Sequence, residues 1–130
     1  MEAAPIKIDP QMWLPEWVKP HEQFAMVDGY RYSVSDCIRM AEDIETFEMP
    51  LKGININYGI YRGDEFEYFT SHVIAVLKAD TNYPIILAPN GVVLDGRHRL
   101  AKVIIRGEEF ILAKQLTEWP EGVPIEEGQH

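Results

Sequence analysis

The chain has one cysteine, Cys37, so it has no internal disulfide and no CxxC metal spacing. Long apolar runs are missing as well. Nothing approaches the ~20 residues of a membrane span, and the N-terminus lacks the basic and apolar regions of a signal peptide. A soluble, cytoplasmic protein with no membrane partner is the expectation. Basic residues are scarce: 12 Lys and Arg stand against 21 Asp and Glu, a formal charge of −9. Affinity for duplex DNA rests on neutralising its phosphates, so no direct duplex binding is expected. The same balance suits a basic protein partner. There is no P-loop, GxGxxG, HExxH or GxSxG. His21, His72, His98 and His130 fall at no metal-ligand spacing.

What basic charge there is gathers in one place. Four of the 12 Lys and Arg, namely Arg97, Arg99, Lys102 and Arg106, lie within ten residues. They follow a short apolar run from Pro84 to Ala88, a Pro89-Asn90-Gly91 turn signal and a β-branched return strand, Val92 to Leu94. Leu100, Val103 and Ile104 then recur at helical spacing, and Gly107 is the expected C′ residue. Arg99, Lys102 and Arg106 line a different face. A helix start offers unpaired N–H groups and the positive end of the dipole. Gly96 has no Cβ and would let a ligand approach the backbone. Arg97, His98 and Arg99 would donate to phosphate oxygens. As local structure alone the turn needs no ligand, with Asp95 as its N-cap.

The run Leu94-Asp95-Gly96-Arg97-His98-Arg99-Leu100-Ala101, after a hairpin and before a helix, resembles the signature of the ParB N-terminal/sulfiredoxin superfamily. ParB proteins carry Gly-Glu-Arg-Arg there and cradle CTP phosphates. Sulfiredoxins carry Gly-Cys-His-Arg and bind ATP. A related free-serine kinase carries Asp-Gly-His-His-Arg. Gly96 and Arg99 match all three patterns and His98 matches two. Arg97 stands where sulfiredoxins have cysteine, so sulfinic acid reductase chemistry does not carry over. It also stands where ParB has glutamate, so no preference for CTP follows. The signature match covers about a quarter of the chain, and a weaker one extends over the N-terminal half.

The resemblance implies a compact α/β domain, a small mixed sheet with three main helices, over residues 1–117. It implies that Gly96, Arg97, His98 and Arg99 bind ATP or CTP phosphates. Asp95 would hold Mg²⁺ or act as general base, and His98 would bond a phosphate oxygen or act as an acid, in phosphotransfer or hydrolysis. The competing reading is a binding module without catalysis, a regulator or inhibitor of a nucleic-acid enzyme. It would engage a protein partner through the acidic surface and the Trp13/Trp17 loop. A nuclease is a third reading, but the carboxylates needed to hold two metals are not visible near the signature.

The rest of the chain fills in the fold. Pro5 to Asp9 reads as a strand and Phe24 to Val27 as a strand or extended segment, with Asp28-Gly29 a turn. Ser33 and Asp36 resemble a capping box for a helix to about Phe47, which Met49-Pro50 would end. One stripe of it would hold Cys37, Ala41, Ile44 and Glu48, with Ile38 beside it. Gly53 to Tyr61 alternates with a period of two and reads as a strand. Glu65 to Ala79 reads as a helix with Phe66, Phe69, Val73 and Val76 or Leu77 inward. Within it His72 reads as a satisfied, partly buried histidine. Glu109 to Leu116 is the last strand. Residues 118–130 hold four glutamates and no Lys or Arg, and read as an acidic tail, disordered or draped on the surface with Trp119 as its anchor.

Overall fold

The computed structural model describes residues 24–55 and 66–125. The expected strand at Pro5 to Asp9, the Trp13/Trp17 loop and most of the Gly53 to Tyr61 segment lie outside the described residues. The architecture is mixed α/β, with three α-helices and two small sheets among the described residues. The first sheet begins as a hairpin of β1 (Phe24–Val27) and β2 (Tyr30–Ser33). Its two-residue turn has positive φ at both centres, Asp28 at 49° and Gly29 at 83°. That matches the right-handed twist of the strands it joins. Tyr30-Arg31-Tyr32 is therefore a strand, not merely the approach to a helix.

Ser33 ends β2 and caps α1 (Val34–Met40), accepting from the Asp36 amide at 3.4 Å. Cys37 and Ala41 are buried and Ile44 packs against the same core, as that stripe required, but Ile38 is exposed and Glu48 lies exposed in a strand. The helix stops about two turns early, however. Ala41 is its C-cap, and Phe47–Pro50 forms strand β3 instead of the helix end. Lys114 explains part of the early stop. Its Nζ donates to the Ala41 carbonyl at 3.0 Å and reaches Glu42 O at 3.5 Å, satisfying groups a continuing helix would have used.

The second sheet has the order β3-β6-β4-β5, with β4 (Ile85–Leu87), β5 (Val93–Asp95) and β6 (Phe110–Gln115). β4 and β6 are parallel and the other pairs antiparallel. β4 is buried on both faces, which is why it reads as an unbroken apolar run. Ile85 and Leu87 face one core with Val93, Leu100, Val103, Ile111 and Ala113. Ile86 and Ala88 face the other with Leu94, Leu116, Cys37 and Tyr32. Helix α3 (Arg97–Ile105) covers the first face through Leu100 and Val103; α1 and the first sheet cover the second. α3 ends in a Schellman arrangement at Gly107, with Gly107 N to Ile104 O at 3.0 Å and Glu108 N to Val103 O at 3.2 Å.

Helix α2 (Phe66–Lys78) packs against α3 with its faces reversed from the expectation. Ser71 and His72 are buried, while Phe66, Phe69, Val73 and Leu77 are exposed. Three contacts set it beside α3 in the same direction: His72 with His98, the Leu77 and Ala79 carbonyls with Lys102, and Thr81 with Arg106.

Residues 118–125 are draped rather than detached. β7 (Val123–Pro124) pairs with β2, and the Ile125 amide donates to Gly29 O at 2.9 Å. Trp119 packs on Tyr32 with ring centroids 5.4 Å apart, and Pro120 is buried. No helix among the described residues is long and apolar enough to cross a membrane.

Candidate functional site: the β5–α3 junction

The junction is built from five consecutive residues, Asp95 to Arg99. Asp95 is the last residue of β5, set by its pairing with Ile86. Gly96, not Asp95, is the N-cap of α3; it is left-handed, φ 104°, and makes no side-chain cap bond. A Cβ at Gly96 would lie 2.5 Å from Ile85 Cγ2 and 2.9 Å from Arg99 Nη2. The absent side chain makes room for strand β4, so the fold itself requires the glycine. Arg97, His98 and Arg99 form the first turn, all half-buried. The ladder starts at Leu100 N to Gly96 O, 2.9 Å, leaving the preceding amides ahead of it.

The basic face expected from Arg99, Lys102 and Arg106 is largely committed to the fold. Arg99 Nη2 pairs with Asp95 Oδ2 at 2.8 Å, both side chains about one-fifth exposed. Lys102 Nζ donates to Leu77 O and Ala79 O at 2.9 and 2.8 Å, capping the end of α2. Arg106 Nη1 donates to Thr81 Oγ1 at 3.1 Å. Asp95 beside phosphate no longer needs a metal to make sense, because Arg99 already balances it.

No local pattern links His72 and His98, 26 residues apart, yet the two rings meet. Nδ1 of His72 lies 2.8 Å from Nε2 of His98, so one ring's N–H donates to the other's bare nitrogen. The rings stack with centroids 5.1 Å apart. Burial, and then the neighbouring His98, pushes the pKa of His72 down to about 4. Burial also lowers His98, followed by Arg99 and Arg97, with Asp95 opposing. The pair is therefore neutral at pH 7 and shares a hydrogen bond. His72 is a buried, hydrogen-bonded histidine as expected. No spacing rule links i to i+26; only the parallel course of α2 and α3 brings the two rings together.

Among the described residues no group of three or more His, Cys, Asp or Glu is arranged to hold a metal. Mg²⁺ at this junction would rest on Asp95 together with ligand phosphates and waters. Burial, reinforced by Asp95 and Asp36, raises the Cys37 thiol to about 11, so it is no nucleophile at neutral pH. An open cavity of about 230 Å³ lies toward the far end of α3, lined by Thr81, Asn82, Val103 and Phe110 with Glu48 and Glu108. Its two carboxylates disfavour an anion, and it is separate from the junction. Compared with protein-family models, curated proteins and solved structures, the chain matches none.

Proposed function

We propose that the β5–α3 junction binds the phosphates of a nucleotide, ATP or CTP, in a cytoplasmic domain of ParB-like type. The observation that carries the reading is the left-handed Gly96 turn opening a helix of nine residues, with Arg97 and His98 in its first turn. Arg97 supplies the charge-assisted contact, and the amides after Gly96 bind phosphate oxygens. Arg99 is already bonded to Asp95, so it stiffens the turn and meets phosphate only by sharing its guanidinium. His98 turns Nε2 toward His72, which leaves Nδ1 as the ring atom that would meet a ligand. Where Mg²⁺ accompanies the nucleotide, Asp95 is the carboxylate at hand for it, and phosphotransfer or hydrolysis is the reaction class. The alternative of an acidic regulator rests on the charge of −9 and on the Trp13/Trp17 loop, outside the described residues.

Calorimetric titration with ATP, CTP and GTP, with and without Mg²⁺, tests the reading. Arg97→Ala is expected to weaken binding by about 1.5–3 kcal/mol, roughly ten- to more than a hundredfold. Arg106→Ala, near the other end of α3, leaves it unchanged. Equal affinities in the two variants, or no binding by the wild type, would sink the assignment. Arg99→Ala is the poorer probe, because it strands the Asp95 carboxylate.

A further inference from the structure

Helix α2 buries the stripe that apolar content would not choose. Ser71 and His72 face inward, His72 only 4% exposed, while Phe66, Phe69, Val73 and Leu77 are exposed. A departure of this kind from local pattern is expected where a polar side chain has a task. His72 meets His98, which stands in the first turn of α3 and so within the junction. Lys102 bonds the Leu77 and Ala79 carbonyls and Arg106 bonds Thr81, which fixes α2 lengthwise along α3. The two rings stack with 29° between their planes, so the hydrogen bond and the stack together hold His98 in one orientation.

We infer that His72 is a positioning residue for phosphate binding: its Nδ1–H donates to Nε2 of His98 and thereby keeps the His98 proton on Nδ1, where it meets a phosphate oxygen. This role rests on phosphate binding at the junction and extends that site to α2. A neutral imidazole has one N–H and one bare nitrogen. Across the 2.8 Å contact one ring donates and the other accepts. If His98 donated, its Nδ1 would be bare, and that lone pair would repel a phosphate oxygen. If His72 donates, Nδ1 of His98 carries the hydrogen and bonds the oxygen. Only the second arrangement satisfies both contacts, so a bound phosphate selects it. Burial, and then Arg99, oppose a second proton on His98, so the donor is a neutral ring with a single hydrogen to place. Asp95 acts the other way but is already paired with Arg99. Without the His72 donor the proton would divide between the two nitrogens of His98.

Imidazole nitrogen NMR of the isotope-labelled full chain, together with calorimetric titration of ATP and CTP, is the test. In the nucleotide complex both rings are expected as the Nδ1–H tautomer. His72→Leu removes the donor and is expected to weaken binding about two- to tenfold, the weight of one neutral hydrogen bond. His72→Asn, whose amide donates from near the same place, is expected to restore most of that loss. In a His98→Ala background His72→Leu is expected to weaken binding no further, because His72 acts only through His98. A complex in which His98 carries its proton on Nε2 overturns the proposal. So does wild-type affinity in His72→Leu, a loss that His72→Asn does not restore, or one that persists undiminished without His98. In each of those cases the nucleotide still binds, and phosphate binding at the junction stands. A wild type that binds neither ATP nor CTP removes both.

Discussion

At the scale of single residues, Gly96 couples the candidate site to the core. Its φ of 104° is costly for any L side chain, and Ile85 occupies the volume a Cβ would take. Both costs act together, so Gly96→Ala is expected to lower stability by about 2–5 kcal/mol, combining left-handed strain with overpacking. Gly107 is also left-handed, φ 73°, but has nothing within 4 Å of its Cβ position. Gly107→Ala should cost only about 1–2 kcal/mol. Urea unfolding of the two variants decides it; equal costs would show that the Ile85 contact yields freely. The histidine pair makes a separate prediction. His72 titrates near 6.5 when unfolded and about 4 when folded, so its contribution is fully present above 6.5. Below that the unfolded chain takes up a proton the fold refuses, and stability is lost as pH falls toward about 4. Burial, and then the neighbouring His98, are what oppose the charge on His72. The loss should reach roughly 3 kcal/mol. Unfolding measured at pH 7.5, 6 and 4.5 reads it, and His72→Gln should remove most of the slope in that window.

At the scale of elements, two lysines end two helices. Lys114 from β6 holds the last carbonyls of α1, and Lys102 from α3 holds those of α2. Each places a cation at the negative end of a dipole while satisfying orphan carbonyls. Lys102→Met is expected to cost about 1–3 kcal/mol, since both carbonyls lose a charged donor. Arg106→Met, which loses one exposed bond to Thr81, should stay within about 0.5 kcal/mol. Comparable losses in the two would contradict a capping role for Lys102. These bonds also mark what could be read in advance. β4, the Asn90-Gly91 turn, β5, α3 and β6 were legible because each carries its own local pattern and turn chemistry. The end of α1 was not, because a lysine 73 residues away helps to set it. The face of α2 was misread for a related reason. Periodicity places Phe66, Phe69, Val73 and Leu77 on one stripe but does not say which stripe the core receives. Here the polar pair Ser71 and His72 is the buried one.

At the scale of the whole molecule, the segment after Glu118 closes the first sheet. Its composition, rich in Glu, Gly and Pro, leaves disorder and a surface drape both open, because composition registers polarity and not placement. Three contacts decide for the drape over residues 118–125: Trp119 against Tyr32 as the expected anchor, buried Pro120, and Gly122, where a Cβ would lie 2.7 Å from the Tyr32 ring. The turn at Gly96 and the helix it opens were legible from local pattern. Its internal pairings, Arg99 with Asp95 and His98 with His72, were not, because they depend on how the elements meet. The sheet makes the last prediction. Without β7 the first sheet is a two-stranded hairpin, which is marginal alone, and Tyr32 loses the ring that shields it from water. Removing residues 118–130 should therefore cost about 2–4 kcal/mol, the sum of uncovering one large aromatic and losing one ring pair. Trp119→Ala alone should account for about half or more of that loss, because it uncovers Tyr32 while leaving the β2–β7 pairing in place. Chemical denaturation of the truncated chain and of Trp119→Ala measures both. A truncated chain as stable as the full one would mean that β7 contributes nothing, and that the hairpin of β1 and β2 is held by α1 and the second sheet alone.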